Sequence, residues 1–207
     1  GWENPWHGGL HPHRDQLWGT MHRERFRCRA VRRKGGQGLV WQGVRVTCAF
    51  QQERVRGQSI AVDYLLAPGA DVLAVIPGCS DDLGVQSHGQ ISFIIYPSFA
   101  ASAGNASFHS VDDDSITMLA SPHWLEGSRW RWGGIVGRDG RALFLSASGE
   151  DTMALGQSMG DQGCILYGGV ERWMPAGGRI EGLFFLAPTV GLEDARAHEV
   201  WSEFGAL

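Results

Sequence analysis

Apolar and polar residues alternate along much of the chain, which is the pattern of half-buried β-strands. The alternation starts with Phe26, Cys28 and Ala30 on one face and arginines on the other. A glycine-rich turn over 34–38 leads into a second strand over 39–50. We therefore predict two neighbouring strands, each with an apolar face turned toward the core.

Further strands follow at a spacing of roughly ten residues. They are predicted over 59–66, 71–76, 90–96, 106–111, 115–120, 130–136, 142–147, 164–167 and 179–187. Asp139-Gly140, between two of them, is a strong hairpin signal because this dipeptide accepts positive φ angles. Roughly a dozen short strands at this spacing indicate an all-β fold, an antiparallel β-sandwich.

The two ends of the chain depart from this alternation. Residues 1–22 are rich in Trp, His, Gly and Pro, and we interpret them as an ordered N-terminal loop with room for one short strand. Four apolar residues between 197 and 204 have the spacing of one helix face, so one C-terminal helix is predicted over 192–204. No linker interrupts the chain, and residues 1–207 are interpreted as a single domain.

Composition and charge exclude several classes of protein. Of the 207 residues, 43% are hydrophobic and 19% are charged, which suits a folded chain. No apolar run approaches the roughly 20 residues of a membrane helix, so we expect a cytoplasmic protein without a membrane partner. The net charge is −4, which argues against a dedicated nucleic-acid-binding protein. Nucleotide-binding and serine-hydrolase motifs are absent from the sequence.

The four cysteines lack the spacing of a zinc ribbon. Cys28 and Cys48 fall on the apolar phase of predicted strands, so we expect both to be small buried residues. A disulfide between neighbouring strands is the alternative, and it would require an oxidising compartment.

Three consecutive segments carry a resemblance to a known family. They are Trp41-Gln42-Gly43-Val44, the strand that ends in Asp63-Tyr64-Leu65-Leu66-Ala67-Pro68-Gly69, and the strand over 71–76. This pattern resembles the galactose-mutarotase-like β-supersandwich, in which an extended strand ends in a Pro-Gly turn and returns along its neighbour. The resemblance implies a link to carbohydrate, because the superfamily includes aldose epimerases, middle domains of polysaccharide lyases and non-catalytic domains of glycoside hydrolases.

Nine tryptophans suggest a sugar-binding surface, because an indole ring stacks on the apolar face of a sugar and keeps a polar N–H. The candidate ligand-binding residues are Trp6, Trp124, Trp130, Trp132 and, from the arginine-rich strand, Arg27. An arginine at this surface would suit an acidic saccharide. The alternatives are tryptophans that pack the core and arginines that keep a solvated strand from pairing with other molecules.

A cluster of histidines near the N-terminus is the candidate metal site. His7, His11 and His13 lie within seven residues, with Asp15 close by. Neutral imidazoles and one carboxylate can hold a divalent metal. The alternative is a loop whose histidines cap turns or stack on rings. No cofactor is required for the proposed class of domain, so this metal is an option and not a necessity.

Epimerase chemistry, which the resemblance implies for some relatives, needs a histidine acid and a carboxylate base from a late strand. The candidates are His123 as the acid and Glu171 as the base, and Glu171 is adjacent to an arginine and a tryptophan that would tune its pKa. His88 and His109 are alternative acids, and Glu181 is an alternative base.

The sequence is compatible with three functions. The first is a sugar-binding or accessory domain of a larger carbohydrate-active protein, favoured because 207 residues are few for a free-standing epimerase. The second is a small aldose-epimerase-like enzyme, and the third is a structural β-sandwich that forms oligomers. The expected partners are a carbohydrate ligand and either a second copy of the chain or a neighbouring domain, with no nucleic acid.

Overall fold

A computed structural model describes most of the predicted strands. The described residues are 9–12, 25–35, 38–51, 58–69, 72–81, 87–95, 106–112, 115–118, 125–126, 132–147, 152–157 and 164–190. Their strands are β1 (Gly9–Pro12), β2 (Arg27–Lys34), β3 (Val40–Ala49), β4 (Gln58–Leu66), β5 (Leu73–Asp81), β6 (Ser87–Ile95), β7 (Ala106–Asp112), β8 (Ser115–Met118), β9 (Leu125–Glu126), β10 (Trp132–Gly137), β11 (Arg141–Ala147), β12 (Thr152–Gln157), β13 (Cys164–Met174), β14 (Arg179–Glu181) and β15 (Phe184–Val190). The predicted helix over 192–204 lies outside the described residues.

The strands form two antiparallel sheets. The smaller sheet has the order β1-β6-β13-β12-β9. The larger sheet has the order β2-β3-β4-β5-β15-β11-β10-β7-β8, with β14 beside β5. The sheets contact each other where β5 meets β6 and β13 and where β10 and β11 meet β12 and β13. The predicted antiparallel β-sandwich is therefore confirmed.

Three tight hairpins in the larger sheet use glycines with positive φ. Gly38 (φ 80°) lies between β2 and β3, Gly69 (φ 75°) between β4 and β5, and Gly140 (φ 81°) between β10 and β11. Residues that carry a side chain rarely adopt such φ angles, so glycine is favoured at each turn. The predicted Pro-Gly and Asp-Gly turns are confirmed, and each leads to an antiparallel neighbour.

Both faces of the larger sheet carry buried side chains. We call one of them the Trp41 face, and its core contains Trp41, Leu65, Ala67, Val72, Ala74, Ile76, Ala142, Phe144, Phe185 and Ala187. The rings of Trp41 and Phe185 lie 6.0 Å apart and are tilted by 53°. The opposite face has its own fully buried side chains, including Ile60, Ile135, Leu145 and Phe184. Each such side chain contributes about 1.5–3 kcal/mol through burial.

Two glycines are required by close packing on the larger sheet. A Cβ atom on Gly43 would lie 1.8 Å from the backbone oxygen of Tyr64. A Cβ atom on Gly134 would lie 2.3 Å from the ring of Phe144, which therefore occupies the space above that glycine. Gly43 belongs to one of the segments that carried the family resemblance, so close strand packing explains its presence there.

The expected burial of Cys28 is wrong. Phe26 is 39% exposed, and Cys28 and Ala30 are exposed as well. The reason is that β2 is the edge strand of the larger sheet, while the smaller sheet contacts the larger one further along, from β5 onward. Cys48 is buried as expected, and neither cysteine takes part in a disulfide.

Within the part of the chain that the structure describes, no helix has the length and apolarity to cross a membrane.

Candidate functional site

Arginines occupy one end of the Trp41 face in a regular array. Arg27 and Arg29 lie on β2 two residues apart, and backbone register places Arg29 directly opposite Arg45 of β3. Register also places Arg45 opposite Asp63 of β4. Since register partners share a face of an antiparallel sheet, these arginines and Asp63 form one surface, which we call the arginine face.

Asp63 is the centre of the arginine face. Its Oδ1 accepts a hydrogen bond of 2.5 Å from Arg45 Nε, and its Oδ2 accepts one of 2.7 Å from Arg45 Nη2. Oδ2 also accepts a bond of 2.7 Å from Arg33 Nε. The Asp63 side chain is only 1% exposed, and an unpaired carboxylate at such a site would cost several kcal/mol. The two arginines are therefore held in fixed positions by a carboxylate that needs both of them.

Glu181 of β14 extends this network from a distant part of the chain. Its Oε1 accepts a hydrogen bond of 2.9 Å from Arg33 Nη1. Its Oε2 lies 2.6 Å from Arg179 Nη2. The guanidinium of Arg179 lies over Gly78, where an added Cβ would be 3.2 Å from Nη2. Arg33 consequently bridges two carboxylates, and each carboxylate contacts two arginines.

Electrostatics keep Asp63 ionised. Burial alone would raise the pKa of the Asp63 carboxyl, but the hydrogen bonds and charges of Arg45 and Arg33 outweigh burial and lower that pKa below its ordinary value. The hydrogen bond to Asp63 raises the pKa of Arg45 in turn. Asp63 is therefore unsuited to act as a general acid, and the array favours binding over proton transfer.

The arginine face carries excess positive charge. Five arginines (Arg27, Arg29, Arg33, Arg45 and Arg179) share it with two carboxylates, which leaves these seven residues with a net charge of +3. Neither Arg27 nor Arg29 forms an ion pair with any residue that the structure describes. Both are exposed, so their N–H donors are accessible to an anion.

An exposed tryptophan marks a second candidate surface, on the smaller sheet. Trp173 of β13 is 66% exposed. Register places it opposite His88 of β6 and places Glu171 opposite Gln90. Glu171 and Trp173 lie two residues apart on one strand and therefore occupy the same face of the sheet. We call this region the Trp173 surface.

The described residues include four of the ten first-choice site residues that the sequence predicts. Arg27 lies on β2 and Trp132 on β10, with five strands between them in the larger sheet. His11 lies on β1, opposite Ser92 of β6. Ser92 is also opposite Gly169 of β13, two residues from Glu171. Backbone register therefore brings His11 and Glu171 to the same face of the smaller sheet, on either side of β6.

The other six predicted site residues fall outside the described part of the chain. They are Trp6, Trp124, Trp130, His123, His7 and His13. Among the described residues, no three metal-ligating side chains come together. The metal site over His7, His11 and His13 therefore stays a prediction.

Sequence analysis missed Asp63 and its arginine partners as a site. One signal was present, because Asp63 interrupts the apolar run from Ile60 to Leu66 within β4, and a buried acid requires a partner. The same argument could have identified Arg45 as that partner, because β3 and β4 pair with each other and place Arg45 opposite Asp63. The ion pair between Arg33 and Glu181 joins residues 148 positions apart, so no local sequence pattern predicts it.

Comparison with known proteins shows likeness at the level of the fold. No protein-family model and no curated protein matches the chain. Among solved structures, the α-galactosidase AgaA of Geobacillus stearothermophilus is 10% identical, with a TM-score of 0.59 over 87% of this chain and 30% of that one. The α-galactosidase of Lactobacillus brevis is 8% identical, with a TM-score of 0.53 over 81% of this chain and 27% of that one.

A third similar structure comes from a shorter protein. The Synechocystis protein Slr1438 is 8% identical, with a TM-score of 0.51 over 79% of this chain and 66% of that one. The present chain spans less than a third of the length of the two α-galactosidases. These likenesses show a shared β-sandwich fold, which in the α-galactosidases is one part of a longer chain.

Proposed function

We propose that this chain is a carbohydrate-associated β-sandwich domain, a sugar-binding or accessory part of a larger carbohydrate-active protein. The observation that carries the proposal is the 66% exposure of Trp173 on a sheet surface. The fold likeness to α-galactosidases, of which the chain spans less than a third, supports the same function. We include in this proposal that the domain is of the galactose-mutarotase-like kind.

The chemistry of the Trp173 surface suits a sugar. An indole ring offers a flat apolar area for the C–H face of a pyranose, while the N–H donates to a hydroxyl group. Glu171, His88 and Gln90 occupy neighbouring register positions, and side chains of these types recognise sugar hydroxyls through hydrogen bonds. Placement on strands favours a fixed geometry, which lowers the entropic cost of binding.

A titration tests this proposal. Tryptophan emission of the wild-type domain is followed while neutral mono- and oligosaccharides are added, including galactosides. We expect a saturable change that Trp173→Ala removes, because that variant loses the stacking area. Leu66→Ala is the matched control, since Leu66 is 52% exposed on the other sheet. Equal binding by Trp173→Ala and the wild type would refute the assignment of this surface.

A small aldose-epimerase-like enzyme is a second candidate, and one observation favours it. Backbone register brings His11 and Glu171 to the same face of the smaller sheet. The predicted acid His123 lies outside the described residues. Glu171→Gln separates the two functions, because it would abolish mutarotation of an aldose in an enzyme and retain sugar binding. Absence of turnover by the wild type would remove this candidate.

Assembly through the larger sheet is a third candidate. Val40, Val44 and Leu66 are between 38% and 52% exposed on the face opposite the Trp41 face. Such residues can form part of an interface between copies of the chain. Sedimentation equilibrium of the wild type and Val44→Ser decides this point. A wild-type monomer at all concentrations would exclude assembly through this face.

A further inference from the structure

The exposed edge of the arginine face has a structural peculiarity. Arg29 lies directly opposite Arg45, and like charges at such positions destabilise a sheet. Asp63 compensates Arg45 but lies on the far side of it, across the β3–β4 pairing. Arg29 and Arg27 remain on the solvent side without an acidic partner among the described residues. An anion seated along β2 would relieve this repulsion.

The donors of the inner arginines are already oriented. Asp63 fixes Arg45 through Nε and Nη2, which leaves Nη1 without a hydrogen bond to any described residue. Arg33 donates through Nε to Asp63 and through Nη1 to Glu181, which leaves its Nη2 without a hydrogen bond to any described residue. The side chains of Arg45 and Arg33 are 21% and 30% exposed. Donors that are held before the ligand arrives lower the entropic cost of binding.

We propose that the arginine face binds a carboxylated saccharide, with Arg27, Arg29 and Nη1 of Arg45 forming the contacts. Guanidinium groups match carboxylates through two parallel hydrogen bonds. Arg27 and Arg29 lie about 7 Å apart along the strand. We therefore expect each of them to bind a different carboxylate of the same saccharide. The inference rests on the proposed function, because that function selects a saccharide as the anion.

Nucleic acid is the competing polyanion, and the charge distribution disfavours it. The whole chain carries a net charge of −4, so long-range attraction of a polyphosphate is weak. The excess positive charge of the arginine face lies at one end of the larger sheet, which suits a short ligand. Protection of an edge strand against pairing is the remaining explanation of the arginines, and it predicts no ligand.

The test compares oligogalacturonate with its methyl ester by calorimetry, since the two probes differ only in their carboxylate charge. We expect the wild type to bind the acid at least tenfold more tightly than the ester. Arg27→Ser/Arg29→Ser should weaken binding of the acid at least tenfold, and Arg27→Lys/Arg29→Lys should give a smaller loss because charge remains without the fork.

The matched control lies on the same strand. Arg32 and Lys34 are exposed on the opposite face of β2, so Arg32→Ser/Lys34→Ser removes the same charge from the wrong face. It should change affinity less than twofold. Equal losses in the two double variants, equal binding of acid and ester, or no binding of the acid would each overturn the proposal.

Two further results distinguish the causes of failure. Tighter binding of a single-stranded DNA oligonucleotide than of oligogalacturonate would assign the arginine face to nucleic acid. Aggregation of Arg27→Ser/Arg29→Ser, without any binding by the wild type, would assign the arginines to edge protection. Neither result affects the Trp173 surface, whose titration uses neutral sugars, so failure of this inference and failure of the proposed function are separable.

Discussion

The Trp41 face contains two buried regions that are stabilised in different ways. Near Trp41 and Phe185 the face is apolar, and its stability comes from contact area. A few residues away, Asp63 is equally buried, but it is a charged group held by two arginines. Apolar packing tolerates similar shapes, whereas the charged network depends on every partner. This difference separates residues that contribute contact area from residues that hold guanidinium groups in fixed positions.

The largest expected effect is on the apolar region. Trp41→Ala should lower the free energy of unfolding by about 3–5 kcal/mol, because the substitution leaves a cavity against Phe185. Urea unfolding followed by circular dichroism measures this loss. The exposed Trp173→Ala serves as the control and should have little effect on stability. A loss below about 1 kcal/mol for Trp41→Ala would show that this region is not a packed core.

Removal of the carboxylate should cost somewhat less than loss of Trp41. Asp63→Ala is expected to lower the free energy of unfolding by about 2–3 kcal/mol, since it leaves Arg45 without an acidic partner and Arg33 with Glu181 alone, although both arginines are partly solvated. Asp63→Leu/Arg33→Met/Arg45→Met removes Asp63 together with both of its arginine partners, while Glu181 keeps Arg179, and should recover much of that loss in the same urea experiment. A triple variant less stable than Asp63→Ala would contradict the argument from uncompensated charge.

The dependence of stability on pH sharpens the same comparison. The pKa of Asp63 is lowered in the folded chain, so its contribution is fully present above its unfolded pKa of about 3.9 and is lost as pH falls further, through the folded pKa. Wild type minus Asp63→Asn should therefore show a stability difference that shrinks below about pH 4. Thermal melts between pH 7 and pH 2.5 measure it. A constant difference would show that the charge of Asp63 contributes nothing.

The smallest effect is expected at an exposed ion pair. Arg141 contacts Asp139 in the β10–β11 turn, at 2.5 Å, and both side chains are well solvated. Water screens such a pair, so Arg141→Ala should leave the unfolding midpoint unchanged within error. The comparison with Asp63 is then between an arginine–carboxylate pair in water and arginine–carboxylate pairs around a buried carboxylate. A loss as large as that of Asp63→Ala would mean that burial does not decide the strength of these pairs.

Much of the fold follows from local patterns in the sequence. Strand β3 has clear alternation, β4 is a short apolar run, and the Asp-Gly and Pro-Gly turns specify hairpins, so these elements are predictable. Strand β12 was missed because its sequence, Thr-Met-Ala-Leu-Gly-Gln, has no alternation. The burial of β2 was wrong because alternation shows which residues share a face and does not show whether the strand lies at an edge.

The candidate site was less accessible to sequence reasoning than the fold. Arg27 was named from the arginine pattern, whereas the role of Arg33 depends on Glu181 being brought beside β5 by a strand 148 residues away. Trp173 was noticed next to Glu171, but only its exposure distinguishes a surface tryptophan from a core tryptophan such as Trp41. Long-range register and exposure are properties of the folded chain, so local spacing does not contain them.

The most direct test of carbohydrate recognition is a calorimetric titration of the wild type, Trp173→Ala and Arg27→Ser/Arg29→Ser with a neutral galactoside and with oligogalacturonate. We predict that the wild type binds the neutral sugar, that Trp173→Ala abolishes this binding, and that the arginine double variant retains it while losing the acid. A wild-type domain that binds neither saccharide would contradict the central claim that this β-sandwich serves carbohydrate recognition.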